Sequence, residues 1–224
     1  MDPFTIIGWV AIAIVAITTH EAAHAYVADR LGDPTARMLG RVTLNPVPHI
    51  DPFMTIILPG LLILSGSGFI FGGAKPVPVN IGRLRGPMRD WAIVAAAGPG
   101  SNLAMALLWA GLLSAVLHLG IWTEDSVGVS ILQFGIFINV LLMVFNLMPI
   151  PPLDGSRLVM YLLRGEARVA YMGLERVGIF ILLGLLFFVP GFRMVLWTGI
   201  SWAGYAVGTV VGLPLPWYPA ALTG

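Results

Sequence analysis

Hydrophobic positions along this 224-residue chain gather into long runs separated by short polar clusters. Apolar stretches cover residues 4–26, 53–71, 91–119, 128–150, 174–190 and 193–213, at or near the roughly 20 residues that an α-helix needs to cross a bilayer. The pattern predicts an all-α polytopic membrane protein with about five to six transmembrane segments. The second run is different in kind. Leu58-Pro59-Gly60 and Ser65-Gly66-Ser67-Gly68 interrupt it twice, and broken backbone is tolerated at membrane depth where protein or a water-filled cavity surrounds it. Residues 41–46 and 74–80 are short, β-branched and punctuated by proline. Proline cannot donate to a ladder and disfavours helix before it, so these stretches are expected as short membrane-associated β-strands at an edge, or as extended segments. Ordinary surface loops are the alternative.

Charge placement turns these runs into a topology. Arg30, Arg37 and Arg41 follow the first run, Lys75, Arg83, Arg85 and Arg89 precede the third, and Arg157, Arg164, Arg168 and Arg176 follow the fourth. The link at 120–127 carries Glu124 and Asp125 and no cation. The positive-inside rule places the three basic clusters in the cytoplasm and that link outside. Both ends of 53–71 then lie on one side, so a re-entrant segment is expected there; a kinked but complete helix is the alternative. The first and fourth runs both head towards the cytoplasm.

Composition narrows the class. With 58% hydrophobic and 10% charged residues and a mean hydropathy of +0.90, the chain is not an ordinary soluble protein. A net charge of +1 without a basic tract excludes a nucleic-acid partner. There is no cysteine, so a metal must be held by histidine and carboxylate. The first run lacks the basic flank of a signal peptide and is expected to be retained.

That run carries the chemistry. His20-Glu21-Ala22-Ala23-His24 is an HExxH motif, and residues four apart share a helix face, so both imidazoles can grip one zinc ion while Glu21 serves as general base. Ionisable groups inside a membrane helix are costly enough to need a partner or a task; a polar helix-packing face is the bland reading. Catalytic zinc sites of this kind use three protein ligands and a water. Asp154 is the best third candidate, because Pro149, Pro151 and Pro152 stop the preceding helix and Gly155 lets the backbone turn. It could otherwise be a simple turn residue. His49 and Asp51 form another pair, able to orient substrate or shield the metal's water, or merely to satisfy a turn and each other. Gly98 and Gly100 suit close helix packing.

These residues resemble the site-2 proteases, intramembrane zinc metalloproteases that combine HExxH on one membrane helix with a later L-D-G on another. Leu153-Asp154-Gly155 matches the second motif, and Gly98-Pro99-Gly100-Ser101-Asn102 looks like the family's G-P-x-x-N element. The resemblance covers about residues 15–160 and is to the compact branch without a PDZ domain; the long 45–90 linker departs from it. It implies that His20, His24 and Asp154 bind one zinc ion per chain, that Glu21 activates water, and that Asn146 contacts the substrate backbone. Asn102 and His49 are further substrate-binding candidates, Asn102 being equally able to bond between helices. The expected function is hydrolysis of peptide bonds within transmembrane segments of another membrane protein. The partners are that substrate and the lipid bilayer, in a prokaryotic cytoplasmic membrane with the site towards the cytoplasm. Residues 1–160 would form the catalytic core and 161–224 would shield or gate it. The competing class is a metal-ion transporter using the same His and Asp residues.

Overall fold

The computed structural model describes residues 2–57, 60–61, 64–65 and 72–213. Three long helices form its centre: α1 (Pro3–Arg30), α3 (Pro87–His118) and α4 (Val127–Asn146), with the short α2 (Thr35–Met38) after the first. Local signals set their ends. The Asp2 carboxylate accepts the Thr5 N–H at 3.2 Å ahead of Pro3, Pro87 opens α3, and the Ser126 hydroxyl caps α4 through the Val129 N–H, each meeting a backbone donor or position that a first helical turn leaves open. Each of the three helices is long and apolar enough to cross a membrane. The core between α3 and α4 joins Ala106, Ala110 and Leu113 to Val129, Ile136 and Val140. Ile7, Val10 and Ile14 of α1 face outward, as suits contact with lipid. The chain is thus an integral membrane protein by the length and composition of its helices.

After α4 come α5 (Gly155–Leu162), α6 (Gly165–Gly173), α7 (Gly178–Phe188) and α8 (Pro190–Val210). Leu182 and Leu186 of α7 pack on Leu153 and Phe145, and Ile200 and Val207 of α8 join the α3–α4 core.

Two expectations need correction. Five to six spanning helices are not present among the described residues. The run at 174–190 is divided, because the chain bends by 74° between Gly165–Arg176 and Gly178–Phe188, so this pair counts at most as one broken span. Helix α8 is long enough, but Arg193, Thr198 and Ser201 dilute its apolar character and leave it less apolar than a span requires. Nor do the described residues contain a β-strand. Side chains take backbone carbonyls in and beside 41–46 and 74–80: buried Arg41 donates to the carbonyls of Pro48, Lys75 and Pro76, and His49 Nε2 lies 3.0 Å from the Thr43 carbonyl. Asp33, also buried, receives the Asn80 N–H at 2.6 Å. Prolines at 46, 76 and 78 remove the donors a ladder would need.

The start of 53–71 meets Gly73, which follows it. The Gly73 N–H donates to the Met54 carbonyl at 3.0 Å and the Thr55 hydroxyl to the Gly73 carbonyl at 2.6 Å. The remainder of the re-entrant expectation falls largely on residues outside those described.

Candidate metal centre

Helix α1 places His20 and His24 one turn apart on its buried face, with their Nε2 atoms 3.0 Å from each other. Asp154 joins them from the turn after α4, its Oδ2 3.2 Å from each Nε2. That turn folds back tightly on the helix it follows: a Cβ on Gly155 would lie 2.2 Å from the Leu147 carbonyl oxygen. Only glycine fits there, and this close return holds the preceding Asp154 against α1.

Hydrogen bonds on the far side of each ring set the tautomers. The His24 Nδ1 lies 2.7 Å from the Val94 carbonyl, which can only accept, so Nδ1 carries the proton and donates. His20 Nδ1 lies 2.6 Å from Asn102 Oδ1, likewise an acceptor. In the neutral rings, the form that binds a metal, both Nε2 lone pairs then face the Asp154 carboxylate. Three acceptors pointing at one another repel, and Asp154 Oδ2 is buried without a hydrogen-bond partner. A divalent cation between them resolves that repulsion. Their spacing is close to the roughly 3.3 Å separating tetrahedral ligands on bonds of about 2.0–2.1 Å, and His20, His24 and Asp154 can hold a metal ion as one group. Two imidazoles and a carboxylate are a donor set that suits zinc.

Helix α3 closes the back of the centre. A Cβ on Gly98 would meet His24 Nε2 at 2.3 Å and His20 Nε2 at 2.6 Å, so the helix approaches the two imidazoles through bare backbone. In front lies a cavity of about 380 Å³ lined by His20, His24, Asp154, Glu21 and Asn146. Pro76, Val77 and Val79 form part of its wall, as does Arg157, whose guanidinium lies 4.4 Å above the Trp91 ring and pairs with Glu175.

The sequence-predicted residues divide by place. Glu21 and Asn146 share the cavity with His20, His24 and Asp154. Asn102 is fully buried on the His20 ring, away from the cavity lining. His49 is buried beneath the extended segments, its Nε2 3.0 Å from the Thr43 carbonyl, while Asp51 accepts the N–H groups of Phe53 and Met54. Sequence reasoning passed over Arg157, counted there only as a topological charge, and Asn139. An amide in the middle of an apolar spanning helix was a readable signal for the latter.

Spanning helices built around an HExxH helix and a returning carboxylate define the class, a membrane-embedded metallopeptidase. The chain belongs to peptidase family M50, the site-2 protease family, whose model matches residues 8–188. It is 39% identical over 199 residues to the Bacillus subtilis (strain 168) protein named "Putative zinc metalloprotease YwhC", covering 87% of each chain. It is 36% identical over 154 residues to the Mycolicibacterium smegmatis protein named "Putative zinc metalloprotease Rip2", covering 67% of this chain and 53% of that one. The Mycobacterium tuberculosis (strain H37Rv) Rip2 is 32% identical over 218 residues, covering 92% and 78%. No solved structure matches the chain.

Proposed function

We propose that the protein is a zinc endopeptidase that cleaves peptide bonds within transmembrane segments of other membrane proteins, near the cytoplasmic side of the membrane. The carrying observation is the convergence of His20 Nε2, His24 Nε2 and Asp154 Oδ2 within 3.2 Å of one another beside Glu21. His20, His24 and Asp154 hold the metal. Zinc bound there supplies Lewis acidity and brings the pKa of a water to about 7. Glu21 takes a proton from the attacking water on its carboxylate and passes it to the leaving amine nitrogen as the peptide bond breaks. Asn146 donates one amide N–H to the Leu142 carbonyl at 3.0 Å, which fixes its rotamer and leaves its other N–H for a peptide carbonyl on the cavity side.

Substrate helices satisfy their own backbone and must unwind before cleavage. The stretch Pro76-Val77-Pro78-Val79 suits an unwound strand. Pro76 and Pro78 have no N–H, while the N–H groups of Val77 and Val79 make no hydrogen bond to any described residue. In extended backbone, residues two apart point the same way, so one edge offers both donors to an added strand. The meeting of Met54 with Gly73 supports reading 53–71 as re-entrant, and the packing of α7 and α8 on the centre supports 161–224 as its shield.

The test is cleavage of a single-span substrate in liposomes by purified protein with zinc quantified in parallel. Glu21→Gln is expected to retain zinc and lose cleavage by at least about a hundredfold. Zinc transport across sealed liposomes without any cleavage would overturn the proposal.

A further inference from the structure

Asn139 is outside the lining of the candidate site's cavity and makes no hydrogen bond to a candidate ligand, yet its amide ends a hydrogen-bond chain that begins on His20. Its Nδ2 donates to the Gly135 carbonyl at 2.8 Å, an atom that can only accept, so the orientation of the Asn139 amide is fixed from its own helix. Asn139 Oδ1 then faces α3 and accepts the Asn102 Nδ2–H at 2.9 Å. Asn102 Nδ2 also lies 3.5 Å from the Ala16 carbonyl, which leaves Asn102 Oδ1 towards His20 Nδ1 at 2.6 Å. Both asparagines are fully buried, so water does not stand in for a lost partner. One link comes from each of α1, α3 and α4.

We propose that Asn139 is a positioning residue for the metal centre: it holds the Asn102 amide oxygen towards His20, and so keeps the His20 Nε2 lone pair aimed at the metal. The inference rests on the assignment of His20 as a zinc ligand. Without Asn139, the Asn102 amide is free to rotate by half a turn and present N–H to the His20 ring. That favours the tautomer protonated at Nε2, which has no lone pair there to give. The same pair acting only as polar glue between α3 and α4 would stabilise packing without steering the ring.

The experiment measures zinc affinity by competition with a chromophoric chelator, for the full chain in detergent, alongside Tm of the zinc-free protein. Asn139→Leu is expected to weaken zinc about tenfold and Asn102→Leu by about 10–100-fold. The double variant should be no weaker than Asn102→Leu, because Asn139 acts through Asn102. Asn139→Asp, whose protonated carboxyl can donate to Gly135 and accept from Asn102, should bind within a few-fold of wild type. An Asn139→Leu protein with lowered Tm but unchanged affinity overturns the proposal, as do losses that add in the double variant. If Asn139→Leu does not fold, the Asp variant decides: affinity lost by tenfold or more counts against the proposal. Zinc binding that survives His20→Ala unchanged would instead overturn the ligand assignment itself.

Discussion

A single missing side chain determines whether the two histidines can share an ion. At Gly98 any Cβ would enter the space between the imidazoles, whereas at Gly100, two residues on, nothing lies within 4 Å. In sequence both read alike, as small residues favouring close helix packing; only the fold reveals that imidazoles, not a helix backbone, press on one of them. Gly98→Ala should therefore cut zinc affinity by about 10–100-fold, the range seen when ligand orientation is disturbed, while Gly100→Ala leaves it unchanged; zinc content after dialysis against a weak chelator separates the two. Asn102 carries the same lesson. Its motif was legible, but that it lies against His20 Nδ1 rather than on the cavity surface depends on the rotation of α3 against α1, which no local pattern encodes.

Among the elements, the segments flanking the cavity owe their shape to two buried charged side chains. Arg41 gathers the carbonyls of Pro48, Lys75 and Pro76. Arg41→Met should expose these carbonyls at a cost of about 1.5–3 kcal/mol and speed amide exchange across residues 43–50 and 72–80, read by hydrogen exchange and mass spectrometry. Asp33 is the second tie. Burial raises its carboxyl pKa, but the Thr35 hydroxyl and the Asn80 and Thr35 N–H groups outweigh burial and hold it below its ordinary value of 3.8. A depressed folded value means that its stabilisation is present above about pH 4 and fades as pH falls through the folded pKa. Asp33→Asn should lower Tm at neutral pH, by about 1–2 kcal/mol of lost hydrogen bonding, and reduce the wild type's loss of stability below pH 4. The prolines and β-branched residues here correctly excluded helix. They could not show that Arg41 would reach across to the carbonyls of Lys75 and Pro76, where a ladder would have needed them.

Across the whole molecule, the candidate zinc ligands join residues 20 and 24 to residue 154, linking the first helix to the turn after α4. Removing the metal should therefore loosen the bundle globally: chelation is expected to lower Tm, reversibly on zinc return, by the equivalent of about 2.7 kcal/mol at a hundredfold excess of zinc over Kd. Glu21→Gln should keep that zinc-dependent shift and Asp154→Asn should lose most of it. The sequence alone determined the membrane class, the HExxH helix and the returning Asp154, because these rest on local facts: long apolar runs, four-residue spacing on one helix face, and prolines that end a helix before Gly155. Tertiary structure alone decided that 174–190 breaks at a 74° bend, that 41–46 and 74–80 stay out of a sheet, and that Asn139 reaches His20 through Asn102. Those outcomes depend on which buried polar group meets which partner across helices, a competition settled only when the whole chain packs.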